Sequence, residues 1–177
     1  MKKLLVVVDM QNDFVDGALG TKEAQAIVPN VVKKINDWDG TIIGTLDTHF
    51  DNYMETAEGK KLPVPHCIAG TPGHHINKEV FDAMMSRPEL DNVMTLRKYT
   101  FGSTVLPELI RNAGYDYIEL VGLCTDICVI SNALMVKAFL PETEVCVDAA
   151  CCAGVTPESH KNALAAMKPC QIKIENE

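Results

Sequence analysis

Apolar positions along the chain alternate between short continuous runs and stretches at helical spacing. Lys3 to Val8 holds an unbroken Leu-Leu-Val-Val-Val run, the kind that a parallel sheet buries on both faces. In residues 23–37 the apolar side chains Ala24, Ile27, Val28, Val31, Val32 and Ile35 fall on one helical stripe, closed by Trp38-Asp39-Gly40. A second buried run, Thr41 to Leu46, follows. Residues 76–86 read as a short helix through Ile76, Val80, Phe81 and Met84, Asn92–Leu96 as a strand, and Ser103 to Asn112 as a helix that Gly114 stops. Ile118, Leu120 and Val121 form a strand ended by Gly122, and from Thr125 the apolar positions Ile127, Ile130 and Leu134 return to helical spacing. Glu144–Asp148 is a strand, 149–156 a loop of small residues, and Pro157–Met167 a helix capped by Thr156. Gln171–Ile174 is a last strand at the sheet edge. Strands and helices alternating in this way predict an α/β fold, a doubly wound, six-stranded, mainly parallel sheet with helices on both faces.

That order puts chemistry at the carboxyl ends of strands, where open α/β sheets bind ligands. Asp9 ends the first strand, and a carboxylate there needs a partner or a raised pKa, either of which suits general acid/base work. Asp47 and His49 follow the second strand, two residues apart on one side of an extended segment, so both can reach one cation. His66 lies beyond a polar stretch in Pro-Val-Pro-His-Cys; two surface histidines are the bland alternative. Lys98 and Arg97 follow the third strand and point to opposite sides. Cys128 falls in the first helical turn after the fourth strand, where unpaired N–H groups and the dipole favour a thiolate, although by residue type alone it is packing. His74 and His75 read as exposed loop residues, and Cys151 and Cys152 as small buried ones.

Composition narrows the class. With 177 residues, 47% hydrophobic, the chain is long enough for one domain, 1–177, with a sizeable core. A net charge of −8 argues against a nucleic-acid or anionic-membrane partner, and no apolar run has the length of a signal or membrane segment. Seven cysteines without paired zinc-type spacing fit a reducing, cytoplasmic compartment better than a disulfide framework.

Five segments, Val-Asp-Met-Gln-Asn-Asp-Phe, Asp-Thr-His, Pro-His-Cys-Ile-Ala-Gly-Thr-Pro-Gly, the Lys98 region and Gly-Leu-Cys-Thr-Asp-Ile-Cys-Val, occur in the order found in the isochorismatase-like cysteine hydrolases, and the chain resembles their nicotinamidase-like branch. The resemblance implies a triad of Asp9 as general base, Lys98, and Cys128 as nucleophile. It also implies a cis Leu123–Cys124 bond and an oxyanion hole from the N–H groups of Cys124 and Cys128. Phe14 and Leu123 become substrate contacts. One divalent ion, zinc in the family's usual form, is implied at Asp47, His49 and His66, with Glu58 rather than Glu55, or a water, completing the shell; no organic cofactor is implied. The activity is hydrolysis of a small amide, nicotinamide first among them, through a thioester. The competing readings are a metal-free hydrolase of another amide, ureido or carbamoyl compound, and a non-catalytic binding protein of the same fold. The family also implies a homodimer or larger homo-oligomer, for which Met84, Met85, Met135, Phe139 and Leu140 offer apolar surface.

Overall fold

The Leu-Leu-Val-Val-Val run is the middle of the sheet, and its side chains divide the interior into two cores. The computed structural model describes residues 1–87 and 93–177. Its elements follow as β1 (Lys3–Val8), α1 (Asn12–Val15), α2 (Lys22–Asp37), β2 (Thr41–Asp47), α3 (Ala57–Lys61), α4 (Lys78–Met85) and β3 (Val93–Lys98). Then come α5 (Leu106–Ile110), β4 (Tyr117–Leu123), α6 (Ile130–Phe139), β5 (Glu144–Ala153), α7 (Pro157–Met167) and β6 (Lys173–Glu175). The strand order is β3-β2-β1-β4-β5-β6, and every neighbouring pair is parallel.

Period-two alternation in β1 sends Leu4, Val6 and Val8 to one face and Leu5 and Val7 to the other. The first set packs with Leu106 and Ile110 of α5, Ala133 and Val136 of α6, and Leu164 and Met167 of α7. The second packs with Val28, Val31 and Ile35 of α2 and with Val80 and Met84 of α4. Met84 is therefore a core residue, not part of an outer apolar surface.

Several element bounds differ from the sequence expectation. Gly122 does not end its strand: β4 continues to Leu123, because glycine accepts φ +117 where a Cβ would lie 2.1 Å from the Val8 carbonyl oxygen. The ladder shifts register between Leu120 and Gly122, which lets β5 run on to Ala153 through residues expected to be loop. β3 extends through Arg97 and Lys98, while Asn92 lies outside the described residues. α5 begins only at Leu106, whose N–H donates to the Ser103 hydroxyl. The final strand starts at Lys173, after Gln171 turns with φ +64.

Candidate active site

Strand order reverses between β1 and β4, and the crevice beyond their carboxyl ends is where such sheets place ligands. Asp9 leaves β1 there, Asp47 and Lys98 are the last residues of β2 and β3, and Cys124 follows β4. The Lys98 ammonium joins them. It lies 2.6 Å from Oδ2 of Asp9, donates to Oδ1 of Asp47 at 3.0 Å, and reaches Sγ of Cys128 at 3.5 Å. A third donation, to the Thr100 carbonyl at 3.1 Å, fixes its approach. All four side chains are buried.

Burial sets the protonation pattern. It raises the Asp9 carboxyl, and the Asp47 charge pushes the same way against the pull of Lys98. Burial also pushes the Cys128 thiol well up, reinforced by Asp9 and Asp47 and opposed by Lys98. This corrects the expectation of a thiolate at rest. The helix-turn donors act on a sulfur that is nearly enclosed and faces two carboxylates, so Cys128 is held as a thiol beside a carboxylate with raised proton affinity. Burial opposes the charge of Lys98, but Asp9 and Asp47 outweigh it and keep the ammonium protonated.

Cys128 stands in a π-helical turn, Thr125–Val129, which precedes α6. The Leu123–Cys124 peptide bond is cis, and the Cys124 carbonyl accepts from the N–H groups of Ile127 and Val129. Leu123, Cys124, Cys128 and Phe14 line one cavity of about 220 Å³, whose wall also includes Asp47, Glu58 and His66.

The same cavity thus borders a second cluster. Asp47 Oδ2 is 3.0 Å from Nε2 of His49 and 3.6 Å from Nε2 of His66, while Glu58 Oε1 is 3.5 and 3.6 Å from the same two nitrogens. One ligand atom from each of the four lies within 4.8 Å of the others. Nδ1 of His66 donates to the Val64 carbonyl at 2.8 Å, which leaves its Nε2 as the atom facing the carboxylates. Nε2 of His49 is buried and completes no hydrogen bond. Two imidazole nitrogens and two carboxylates around one point form a donor set that suits a divalent ion such as zinc. Glu55, the other acid in that loop, is exposed and outside the cluster. Burial would raise Asp47, yet the neighbouring His49 and His66 rings and the Lys98 charge hold its carboxyl far below the usual range.

Four residues to which the sequence reading gave no role hold this arrangement, Gln11, Asn132 and His74 buried and Asp13 half-buried. Gln11 accepts from the Asp47 N–H at 2.7 Å and donates to the Asp47 carbonyl at 2.9 Å, clamping the backbone of that residue on both sides. Asp13 accepts from the Cys67 N–H at 2.7 Å and so anchors the loop of His66. Asn132 donates to the Cys128 carbonyl at 2.7 Å and accepts from the Ser103 N–H at 2.9 Å, tying the Cys128 turn to the loop after Lys98. His74 is 5% exposed, contrary to the loop reading, and its Nε2 is 2.9 Å from the Thr48 hydroxyl. Among them only Gln11 and Asp13 carried a signal, as polar residues directly after Asp9.

Comparison with known proteins places these features in a group. Residues 3–175 match the model of the isochorismatase domain. The isochorismatase family protein PncA of Bacillus subtilis is 30% identical over 174 residues, covering 93% of each chain. The crystal structure of a nicotinamidase/pyrazinamidase PncA from Bacillus subtilis superposes with a TM-score of 0.86 at 25% identity, over 99% of this chain and 100% of that one. A pyrazinamidase of Pyrococcus horikoshii, solved in complex with zinc, superposes with a TM-score of 0.80 at 26% identity over the whole of both chains.

Proposed function

The chain belongs to the isochorismatase domain family, and on that premise we propose that it is a nicotinamidase-like amidohydrolase, in which Cys128 is acylated by a small carboxamide and then released by water. One observation carries the reading: a single cavity has in its wall both the cysteine that Lys98 contacts and three members of the cation cluster. A substrate with a ring nitrogen at one end and a carboxamide at the other spans two such groups.

The steps follow from the contacts. Asp9 takes the Cys128 proton as the sulfur attacks the amide carbonyl carbon, and the C–O π pair moves to oxygen. The N–H groups of Cys124 and Cys128 receive that oxyanion. When it collapses, the C–N bond breaks, Asp9 hands its proton to the departing nitrogen, and ammonia leaves. Asp9 next removes a proton from water as it attacks the thioester carbonyl; the C–S bond then breaks, Asp9 returns the proton to sulfur, and the acid and the thiol are freed. Lys98 holds Asp9 by an ion pair throughout and limits the build-up of negative charge around the sulfur. Phe14 and Leu123 exclude water and flank the ring.

Asp47, His49, Glu58 and His66 would hold one divalent ion, proposed as zinc, which when bound supplies a Lewis-acid anchor for the substrate's ring nitrogen. The family match, with no helix long and apolar enough to cross a membrane among the described residues, supports a cytoplasmic enzyme; a homo-oligomer is the proposed assembly. Elemental analysis with ammonia release from nicotinamide, before and after chelation, tests the reading. Bound metal at one ion per chain and chelator-sensitive release are expected. Metal-free protein that ignores nicotinamide and hydrolyses a different amide would retain the triad and end the substrate assignment.

A further inference from the structure

The turn that carries Cys124 and Cys128 is fastened from outside at two consecutive residues, both times by the segment after β5. Oδ1 of Asp126 accepts from the Val155 N–H at 3.0 Å. The Thr125 hydroxyl is 2.8 Å from Nδ1 of His160, in the first half of α7. Thr125 is 0% exposed, and the His160 ring is the side-chain partner of its hydroxyl. The fastening segment is itself immobilised. A Cβ on Gly154 would come within 2.8 to 2.9 Å of N, Cα and Cβ of His160, so the chain can approach the helix this closely only as glycine. Gly154 and Val155 also stand in the wall of the substrate cavity.

We infer that His160 is a positioning residue for the oxyanion turn: through Thr125 it keeps the backbone between Cys124 and Cys128 set so that both N–H groups face the substrate carbonyl. The inference rests on the oxyanion assignment proposed above. His160 touches neither Cys128 nor the cavity itself, so it acts through the backbone of the turn and not on the substrate. Structural anchoring alone would lower stability without separating kcat from KM.

The test compares wild type, His160→Ala and His160→Asn; the Asn side chain can return a hydrogen-bonding atom near the position of Nδ1. Three readouts are taken: kcat and KM for nicotinamide, affinity for pyridine-3-carbaldehyde, and the alkylation rate of Cys128 by iodoacetamide. With the aldehyde, the Cys128 sulfur bonds to the carbonyl carbon, the π pair goes to oxygen, and the thiol proton passes to Asp9, so affinity reports the oxyanion site. Alkylation expels iodide and forms no oxyanion. His160→Ala is expected to lower kcat and aldehyde affinity together, each by about 10- to 100-fold, less than deleting a donor outright. KM and alkylation should stay within about twofold, and His160→Asn should recover most of the loss. An unchanged kcat in His160→Ala, a parallel fall in alkylation, or no recovery in His160→Asn would overturn the inference. If wild type captures the aldehyde on Cys128 yet releases no ammonia from nicotinamide, the substrate assignment fails, and the ratio of aldehyde affinities still decides the role of His160.

Discussion

Lys98 Nζ stands 2.6 Å from Oδ2 of Asp9, with side-chain exposures of 1% and 0%. Two opposite charges so fully removed from water hold each other in place, because loss of either strands its partner at a cost of about 3–5 kcal/mol. The same ammonium touches Cys128 and Asp47, so a single cation links the proposed base, the proposed nucleophile and the cation cluster.

Asp9→Asn keeps the shape of the base and removes its proton affinity. We expect kcat to fall by about 10³-fold or more, as loss of a general base commonly costs. Lys98→Met should reduce activity and also lower the melting temperature, since it leaves two carboxylates buried without their cation. Steady-state kinetics and calorimetry on both variants check this; an active, normally stable Lys98→Met enzyme would contradict the ion-pair account.

The cation cluster distinguishes two acids of one loop. Glu58→Gln should weaken metal binding by about 10-fold or more, while Glu55→Gln, exposed and outside the cluster, should leave it unchanged. Competition against a chromophoric chelator measures both. Equal affinities in the two variants would remove Glu58 from the ligand set.

Gly122→Ala should be strongly destabilising, by about 3 kcal/mol or more, because it combines φ +117 with a Cβ 2.1 Å from the Val8 carbonyl oxygen. Denaturant unfolding gives the value. A cost under about 1 kcal/mol would mean that β1 and β4 can separate more easily than their register indicates.

Away from the site, Lys34 Nζ pairs with Glu119 at 2.6 Å and with Asp148 at 2.7 Å, both acids nearly buried. Burial raises Asp148, but the Lys34 contact outweighs it and holds the carboxyl below its usual value. Burial lowers Lys34, but Asp148 and Glu119 outweigh it, so the ammonium is held above its usual value. Stability from the depressed acid is present above its unfolded pKa of ~3.9 and is lost as pH falls through the folded value; that from the raised lysine is present below ~10.4 and is lost as pH rises further. The difference in melting temperature between wild type and Lys34→Met should therefore be flat between about pH 4 and pH 10 and shrink on either side. A gap that widens in acid would reverse the sign of the argument.

How far the sequence reached depended on whether a residue's role is set by its own segment. Asp9, Asp47, Lys98 and Cys128 each follow or end a buried run, so the strand pattern alone brings them to one edge, and the family motifs assign their partners. Glu58 was readable as an acid at the right place in the loop, and geometry separates it from Glu55. Gln11 signalled only as a polar residue just after Asp9, and Asn132 and His160 were not readable, because each acts by reaching a backbone or hydroxyl that is distant in sequence: Gln11 to Asp47, Asn132 to Ser103, His160 to Thr125. The state of Cys128 was misread for a related reason. Helix-turn position is local and favours the thiolate, whereas burial and the charges of Asp9 and Asp47 come from the assembled fold and prevail.

Ammonia release from nicotinamide by metal-replete wild type and Cys128→Ala, measured side by side with circular dichroism confirming both folds, tests the central claim most directly. Wild type should release ammonia stoichiometrically with nicotinate, and Cys128→Ala should show no turnover above the uncatalysed rate. A folded Cys128→Ala protein that hydrolyses nicotinamide at the wild-type rate would contradict covalent catalysis at this cysteine.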